Sequence, residues 1–394
     1  MRLERGRTGF NYALLSYVVL VIFVITVAPF EFHIPNEVTI RFTSSLSNLL
    51  SNILLFIPAG FIFQMARKTV RGEFLLGSLL FGLVLSACVE ILQVFVVGRI
   101  TSVVDLAANG LGAWIGGFLL YLMVTKVKEP ADRVFFLDLP LMNLLYLLVP
   151  LLWVNGFAIG SEQLRLALTT LLGLFGCGVL VSIYVNRLRE HPGFSPVRLG
   201  VAAFVWFLVA TLPAIRAYPL LVPGIGFVLG VVTAMAAVTG VGTYAKDRRF
   251  ELPTLQVLVP FLMTYILLLT GWPPASAVNL RGEVVRITGG RLVEVFQLVE
   301  VLAAFTLLGY IIAEMRGRRD ESALKTCVWI LLVIALFISW AIVVQVLWLG
   351  GTASIQLVTL PLLGGLFGGM IYRLQLAALQ RRLQTAALQA SVQA

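Results

Sequence analysis

The sequence has few charged residues, histidines and cysteines, and each shortage excludes a class of protein. Only 12% of its 394 residues are charged and 59% are hydrophobic, whereas an average soluble domain is about a quarter charged and half apolar. This balance excludes a soluble globular enzyme and a disordered chain. The three cysteines lie inside apolar runs, which excludes a disulfide scaffold and favours small buried side chains. The two histidines, His33 and His191, are isolated, and no phosphate-loop motif is present, so we expect no metal and no cofactor.

The sequence consists largely of long apolar runs. A bilayer core about 30 Å thick needs roughly 20 apolar helical residues for each crossing. The runs lie at about 10–29, 48–66, 74–97, 104–125, 139–157, 164–186, 199–213, 219–244, 253–272, 293–315, 326–349 and 354–372. The sequence therefore predicts an all-α polytopic transmembrane bundle of about 12 spans, the seventh being short.

The basic residues predict the orientation of these spans. Twenty-two of the 29 lysines and arginines fall in alternate connecting segments, in groups of three or four. By the positive-inside rule those segments are cytoplasmic, which puts both termini inside (N-in/C-in). Because the net charge of +10 is distributed in this way, we interpret it as an insertion signal and expect no nucleic-acid partner.

A polar stretch divides the chain into two membrane modules. Residues 1–125 form a four-span module, 126–135 a cytoplasmic linker, and 136–373 an eight-span module. We expect residues 374–394 to form a cytoplasmic amphipathic helix, because three leucines repeat on one face and arginines lie on another. Such a tail leaves a homo-oligomer open, since a short coiled-coil dimer is compatible with it.

Polar side chains in the first module converge at one depth. Glu90 and Gln93 share a face of span 3, and Asp105 and Asn109 share a face of span 4. Gly112 and Gly116 continue the second stripe as a small-xxx-small pair, which permits close approach of another helix. We predict a polar pocket open to the outside or to the outer leaflet. Its candidate substrate-binding residues are Asn52, Glu90, Gln93, Arg99, Asp105 and Asn109.

Two interpretations of this cluster remain open. The polar groups either hold the helices together, with Arg99 paired to Asp105 or Glu90, or they form a site for an anion. In the second case Arg99 binds a phosphate or carboxylate through its planar fork. If the protein is an enzyme, Glu90 and Asp105 are the catalytic candidates, as an acid-base pair.

A second polar group enters span 10. Glu294 and Gln297 repeat the spacing of Glu90 and Gln93, and Glu300 lies deeper. A buried carboxylate needs a partner or a proton. These three residues are secondary site candidates.

The first module resembles the VanZ-like family. The resemblance rests on the stretch from Asn52 to Phe61, on Glu90 with Gln93, on Gly98-Arg99, and on Asp105, Asn109, Gly112 and Gly116. It covers about residues 10–125. The family takes its name from a membrane protein linked to glycopeptide (teicoplanin) resistance, so the resemblance implies a role at the bacterial cell envelope. It also implies a place in the plasma (inner) membrane and, as partners, membrane lipids such as a polyprenyl-phosphate-linked precursor or a lipoglycopeptide.

Three functions fit these observations. The first is a multi-pass envelope protein that binds a lipid-linked or amphiphilic anion, or transports such a lipid or solute. The second is a membrane enzyme that acts on a polyprenyl-linked glycan or a phospholipid. The third is a structural module whose polar groups only join helices.

Overall fold

We describe the protein from a computed structural model. The described residues are 8–28, 30–35, 37, 38, 40–67, 75–126, 140–158, 165–189, 194–240, 251–271, 276–278, 284–286, 290–317, 322–344, 346 and 356–393. Among them, eleven helices are long and apolar enough to cross a membrane, and a twelfth apolar helix, Pro196–Ala210, is shorter. The predicted all-α polytopic bundle is confirmed, and the short helix is the seventh predicted span. The N-in/C-in orientation stays a prediction.

Contacts between residues divide the chain into two compact units. The first unit contains Met1–Asp138 and Ile371–Ala394, and the second contains Leu139–Met370. Most of the predicted linker, residues 127–135, lies outside the described residues.

Among its described residues between 8 and 126, the first unit is built on four long helices. They are α1 (Thr8–Val27), α2 (Leu46–Ala66), α3 (Leu75–Gln93) and α4 (Val103–Lys126). Two short strands, β1 (Ile40–Arg41) and β2 (Thr101–Ser102), lie in the α1–α2 and α3–α4 connections. Ser45 begins α2 as its N-cap, where its hydroxyl accepts a hydrogen bond from the Asn48 N–H.

Glycines bring α2 and α4 into backbone contact. A Cβ placed on Gly112 would lie 2.1 Å from the Ile53 carbonyl oxygen, and one on Gly116 would lie 2.0 Å from the Ile57 oxygen. Only glycine fits at these two positions, so the predicted close approach is confirmed and α2 is the partner helix. The order of the contacts shows that the two helices run parallel.

Helix α3 packs antiparallel to α4 on another face. The Asn109 side chain reaches Ser86, and a Cβ on Gly117 would touch the hydroxyl of Ser78 at 2.5 Å. This register places the C-terminal end of α3 beside the N-terminal end of α4. The polar residues of both helices are thereby collected at one end of the unit.

The described residues of the second unit form nine helices. They are α5 (Pro140–Ala158), α6 (Arg165–Ile183, followed by a π-helical turn, Tyr184–Leu188), α7 (Pro196–Ala210), α8 (Leu212–Ala217), α9 (Leu221–Thr239), α10 (Glu251–Gly271), α11 (Gly290–Gly317), α12 (Ala323–Val343) and α13 (Gln356–Gln393). Strands β3 (Ser276–Val278) and β4 (Val284–Arg286) form an antiparallel pair between α10 and α11. Helix α13 runs unbroken to Gln393, and its part from Ile371 onward groups with the first unit.

Small residues also set the closest helix contacts of the second unit. A Cβ on Gly309 of α11 would lie 2.0 Å from the Gly365 carbonyl oxygen of α13, and one on Gly368 would lie 1.9 Å from the Thr306 oxygen. The glycine-rich stretch of the last span is therefore a helix-packing surface.

The cysteines are free thiols, as expected. Cys177 is buried, but Cys88 is exposed, so the expectation of burial was wrong for Cys88. It lies on a face of α3 that exposes Leu80 and Val84.

Candidate functional site

The two connections at one end of the first unit are joined by backbone hydrogen bonds. Strands β1 and β2 pair in parallel, with Ile40 opposite Thr101 and Arg41 opposite Ser102. A further bridge joins Phe32 to Val96. The main chain just before α4 is therefore held in place by the α1–α2 connection.

Glu90 is held by the start of α4. Its side chain is 7% exposed, and Oε2 accepts a hydrogen bond of 2.8 Å from the Ser102 N–H. The Ser102 hydroxyl in turn accepts from the Asp105 N–H at 3.3 Å. The Thr101 hydroxyl donates to the Glu90 carbonyl oxygen at 3.2 Å. Ser102 thus lies between the two carboxylates and fixes where Glu90 points.

Asp105 and Asn109 each have an acceptor atom that receives no hydrogen bond from any described residue. The Asn109 amide donates to the Ser86 hydroxyl at 2.8 Å, which sets the direction of its Oδ1 atom. Asn109 Oδ1 and Asp105 Oδ1 are both buried and have no hydrogen-bond partner among the described residues. Buried acceptors without a donor are uncommon in folded proteins.

Gln93 and Arg99 contact the C-terminal end of α1. The Gln93 amide donates to the Thr26 carbonyl oxygen at 2.7 Å. Arg99 donates through Nη2 to the Ala28 oxygen at 2.8 Å and through Nε to the same oxygen at 3.2 Å. A weaker contact of 3.5 Å joins Nη2 to the Ile25 oxygen. A positive side chain at a helix C-terminus is favourable, because the last carbonyl groups carry a partial negative charge.

The ion pair allowed by one sequence interpretation does not form. Among the described residues Arg99 makes no salt bridge to Glu90 or Asp105; its Nε and Nη2 atoms instead donate to the Ala28 carbonyl oxygen, just after α1. Arginine has five N–H donors, and the two on Nη1 have no intramolecular partner in the described part of the chain. Burial lowers the pKa of the Arg99 guanidinium from its usual value, although arginine is effectively always protonated in proteins.

Asn52 lies at the depth of the cluster but outside its hydrogen bonds. Because α2 and α4 run parallel with Ile53 beside Gly112, Asn52 and Asn109 differ in depth by roughly 3 Å, at 1.5 Å per residue. Asn52 is half-buried. Within the described residues its side chain makes no hydrogen bond.

The predicted site residues therefore fall into two hydrogen-bonded groups and one separate residue. Glu90, Asp105 and Asn109 are linked through Ser86 and Ser102. Gln93 and Arg99 are linked through α1. Both groups lie at the same end of the unit.

In the second unit Glu300 is the centre of a separate buried network. It is fully buried, and its Oε2 pairs with Arg165 Nη1 at 2.7 Å. Its Oε1 accepts from Asn155 Nδ2 and from the Tyr265 hydroxyl, each at 2.7 Å. The Thr169 hydroxyl donates to Asn155 Oδ1 at 2.7 Å. The network joins α5, α6, α10 and α11.

The other two secondary candidates do not join this network. Gln297 is partly exposed on α11, and the side chain of Glu294 lies outside the described residues. Arg165, the partner of Glu300, was not predicted as a site residue, although it lies at the start of the sixth predicted span. A signal was present, since Asn155 and Arg165 flank the same short connection between predicted spans 5 and 6.

Comparison with known proteins gives a match for the first unit only. A search of curated proteins and a search of solved structures each gave no match. A family model described as VanZ/LLP1 matches residues 13–125, which is under a third of the chain and contains all four helices of the first unit except their outermost residues. The match confirms the predicted resemblance, and the protein is a multi-pass membrane protein whose N-terminal module is similar to the VanZ/LLP1 family.

Proposed function

We propose that the first unit binds the anionic headgroup of an amphiphile from the outer leaflet of a bacterial plasma membrane. The ligand class is a lipid-linked phosphate, such as a polyprenyl-phosphate-linked envelope precursor or a related lipoglycopeptide. The observation that carries this proposal is the hydrogen bonding of the Arg99 guanidinium. Its Nε and Nη2 atoms donate to the Ala28 carbonyl oxygen just after α1, and its Nη1 atom has no hydrogen-bond partner among the described residues.

A guanidinium held in a fixed position binds an anion better than a mobile guanidinium does. The bonds to Ala28 fix the plane of the fork before a ligand arrives, so less side-chain entropy is lost on binding. Bonds between arginine and phosphate are charge-assisted and stronger than neutral hydrogen bonds.

The surroundings of Arg99 favour an amphiphile over a soluble anion. Phe95, Val97, Ile100 and Val103 are each at least 40% exposed, and they flank the polar residues on both sides along the chain. Large apolar side chains exposed beside a polar group are typical of the membrane interface. A headgroup at Arg99 would therefore leave its hydrocarbon chain against apolar residues.

The hydrogen bonds support binding more than acid-base catalysis. Glu90 Oε2 is occupied by the Ser102 N–H, so this oxygen is committed to the protein. The proposal therefore gives Glu90 a positioning role at the start of α4.

The experiment measures binding of polyprenyl phosphate, with uncharged polyprenol as reference, to the full chain in nanodiscs. We expect Arg99→Ala to weaken phosphate binding by about 10- to 150-fold, since a hydrogen bond to a charged group contributes about 1.5–3 kcal/mol. The affinity of Arg99→Lys for polyprenyl phosphate should lie between those of wild type and Arg99→Ala, because lysine keeps the positive charge but lacks the planar guanidinium fork. Binding of polyprenol should be unchanged.

Arg41→Ala is the matched control. Arg41 is an exposed arginine at the same end of the unit, so its removal changes the local charge equally. If Arg99→Ala bound polyprenyl phosphate as tightly as wild type, or if Arg41→Ala lost as much affinity, the proposal would be wrong.

A further inference from the structure

We infer that Asp105 and Asn109 recognise hydroxyl groups on the headgroup, so the first unit prefers a phosphate-linked glycan or polyol over a bare lipid phosphate. The inference rests on the proposed function and specifies its substrate class. It comes from two buried acceptor atoms, Asp105 Oδ1 and Asn109 Oδ1, that have no donor among the described residues.

The two acceptors share one face of α4. They are four residues apart, which is about one helical turn, and residues at this spacing lie one above the other. The Asn109 side chain is 3% exposed, and its amide nitrogen is committed to Ser86. The orientation of its Oδ1 atom is therefore fixed, and this atom has no hydrogen-bond donor among the described residues.

Asp105 is the more exposed of the two residues. Its side chain is only half-buried, and it lies at the first turn of α4, directly after the connection that carries Arg99. A ligand with a phosphate and adjacent hydroxyl groups would supply the anion for Arg99 and the donors for Asp105 and Asn109.

The number of unsatisfied atoms favours hydroxyl groups over a metal ion. Hard cations take six to eight oxygen ligands, and among the described residues no group of three acidic, histidine or cysteine side chains could hold one. Glu90 Oε2 is already occupied by the Ser102 N–H. Two acceptors fixed on one helix face match two O–H donors.

The test compares polyprenyl phosphate with a polyprenyl phosphohexose of the same chain length, bound to the full chain in nanodiscs. The readout is the ratio of the two dissociation constants, so a general loss of affinity cancels. Two hydrogen bonds predict that wild type prefers the phosphohexose by about 5- to 150-fold. Asp105→Ala and Asn109→Ala should each lower this ratio, and the near-isosteric Asp105→Asn should lower it while disturbing the fold least.

Glu37→Gln is the control, because Glu37 is an exposed carboxylate in the α1–α2 connection. It should keep the wild-type ratio. A ratio near one for wild type, an unchanged ratio in Asp105→Ala and Asp105→Asn, or a preference that requires a divalent cation would each overturn the inference. In those cases a loss of binding of both lipids in Arg99→Ala would still support the proposed function, so the two can fail separately.

Discussion

The substitution Glu300→Gln should strongly destabilise the second unit. Glu300 Oε1 accepts from Asn155 and Tyr265, and Oε2 accepts from Arg165. Glutamine has one carbonyl oxygen and one NH₂ group. If the glutamine oxygen takes the position of Oε1, the NH₂ group takes the position of Oε2 and faces the N–H donors of Arg165. If the side chain is flipped, the NH₂ group faces the Asn155 amide instead.

The expected magnitude follows from the burial of both charges. Glu300 is fully buried and Arg165 is 1% exposed, so the substitution removes the Glu300 counterion from a buried positive charge. Breaking a buried pair in this way costs about 3–5 kcal/mol. Tyr265→Phe removes one neutral donor to the same carboxylate and should cost about 0.6 kcal/mol and at most about 1.7 kcal/mol, the average and the maximum for hydrogen bonds within a membrane bundle.

The assay is the free energy of unfolding in mixed micelles with increasing denaturing detergent. The double variant Arg165→Met with Glu300→Gln should recover most of the loss, because the buried positive charge is then removed together with the carboxylate. Equal losses for Tyr265→Phe and Glu300→Gln would refute the reasoning, as would a double variant no more stable than Glu300→Gln alone.

Other predictions concern helix packing and orientation. Gly112→Ala should lower stability by roughly 1–3 kcal/mol, because its Cβ would collide with the Ile53 carbonyl oxygen; Gly224→Ala, which meets nothing within 4 Å, should be neutral or slightly stabilising in thermal unfolding. In a cysteine-free background, Arg41→Cys should react with a membrane-impermeant maleimide added outside cells, and Lys325→Cys should react only after the cells are opened. The reverse labelling pattern would contradict the N-in/C-in orientation.

Hydropathy predicted the helices well because each span must satisfy its own backbone hydrogen bonds in the bilayer. The short seventh helix follows from the same cause, since its apolar run is too short for a full crossing. The close contact of α2 with α4 was visible in Gly112 and Gly116, although their partner was not, because small residues report a close approach without naming the neighbour.

The polar contacts were harder to predict because their partners are main-chain atoms. Arg99 binds carbonyl groups at the end of α1, and Glu90 binds the Ser102 N–H. Every residue carries such groups, so no side-chain pattern in the sequence reveals them. The Arg165–Glu300 pair is separated by 135 residues, and only the packing of the second unit brings the two together.

The most direct test of the central claim is an experimental structure of the full chain in a nanodisc with polyprenyl phosphate. We predict the phosphate within hydrogen-bond distance of Arg99 Nη1, about 2.7–3.2 Å, with the hydrocarbon chain beside Phe95, Val97 and Ile100. A phosphate bound elsewhere, with Arg99 contacting only α1, would contradict the account.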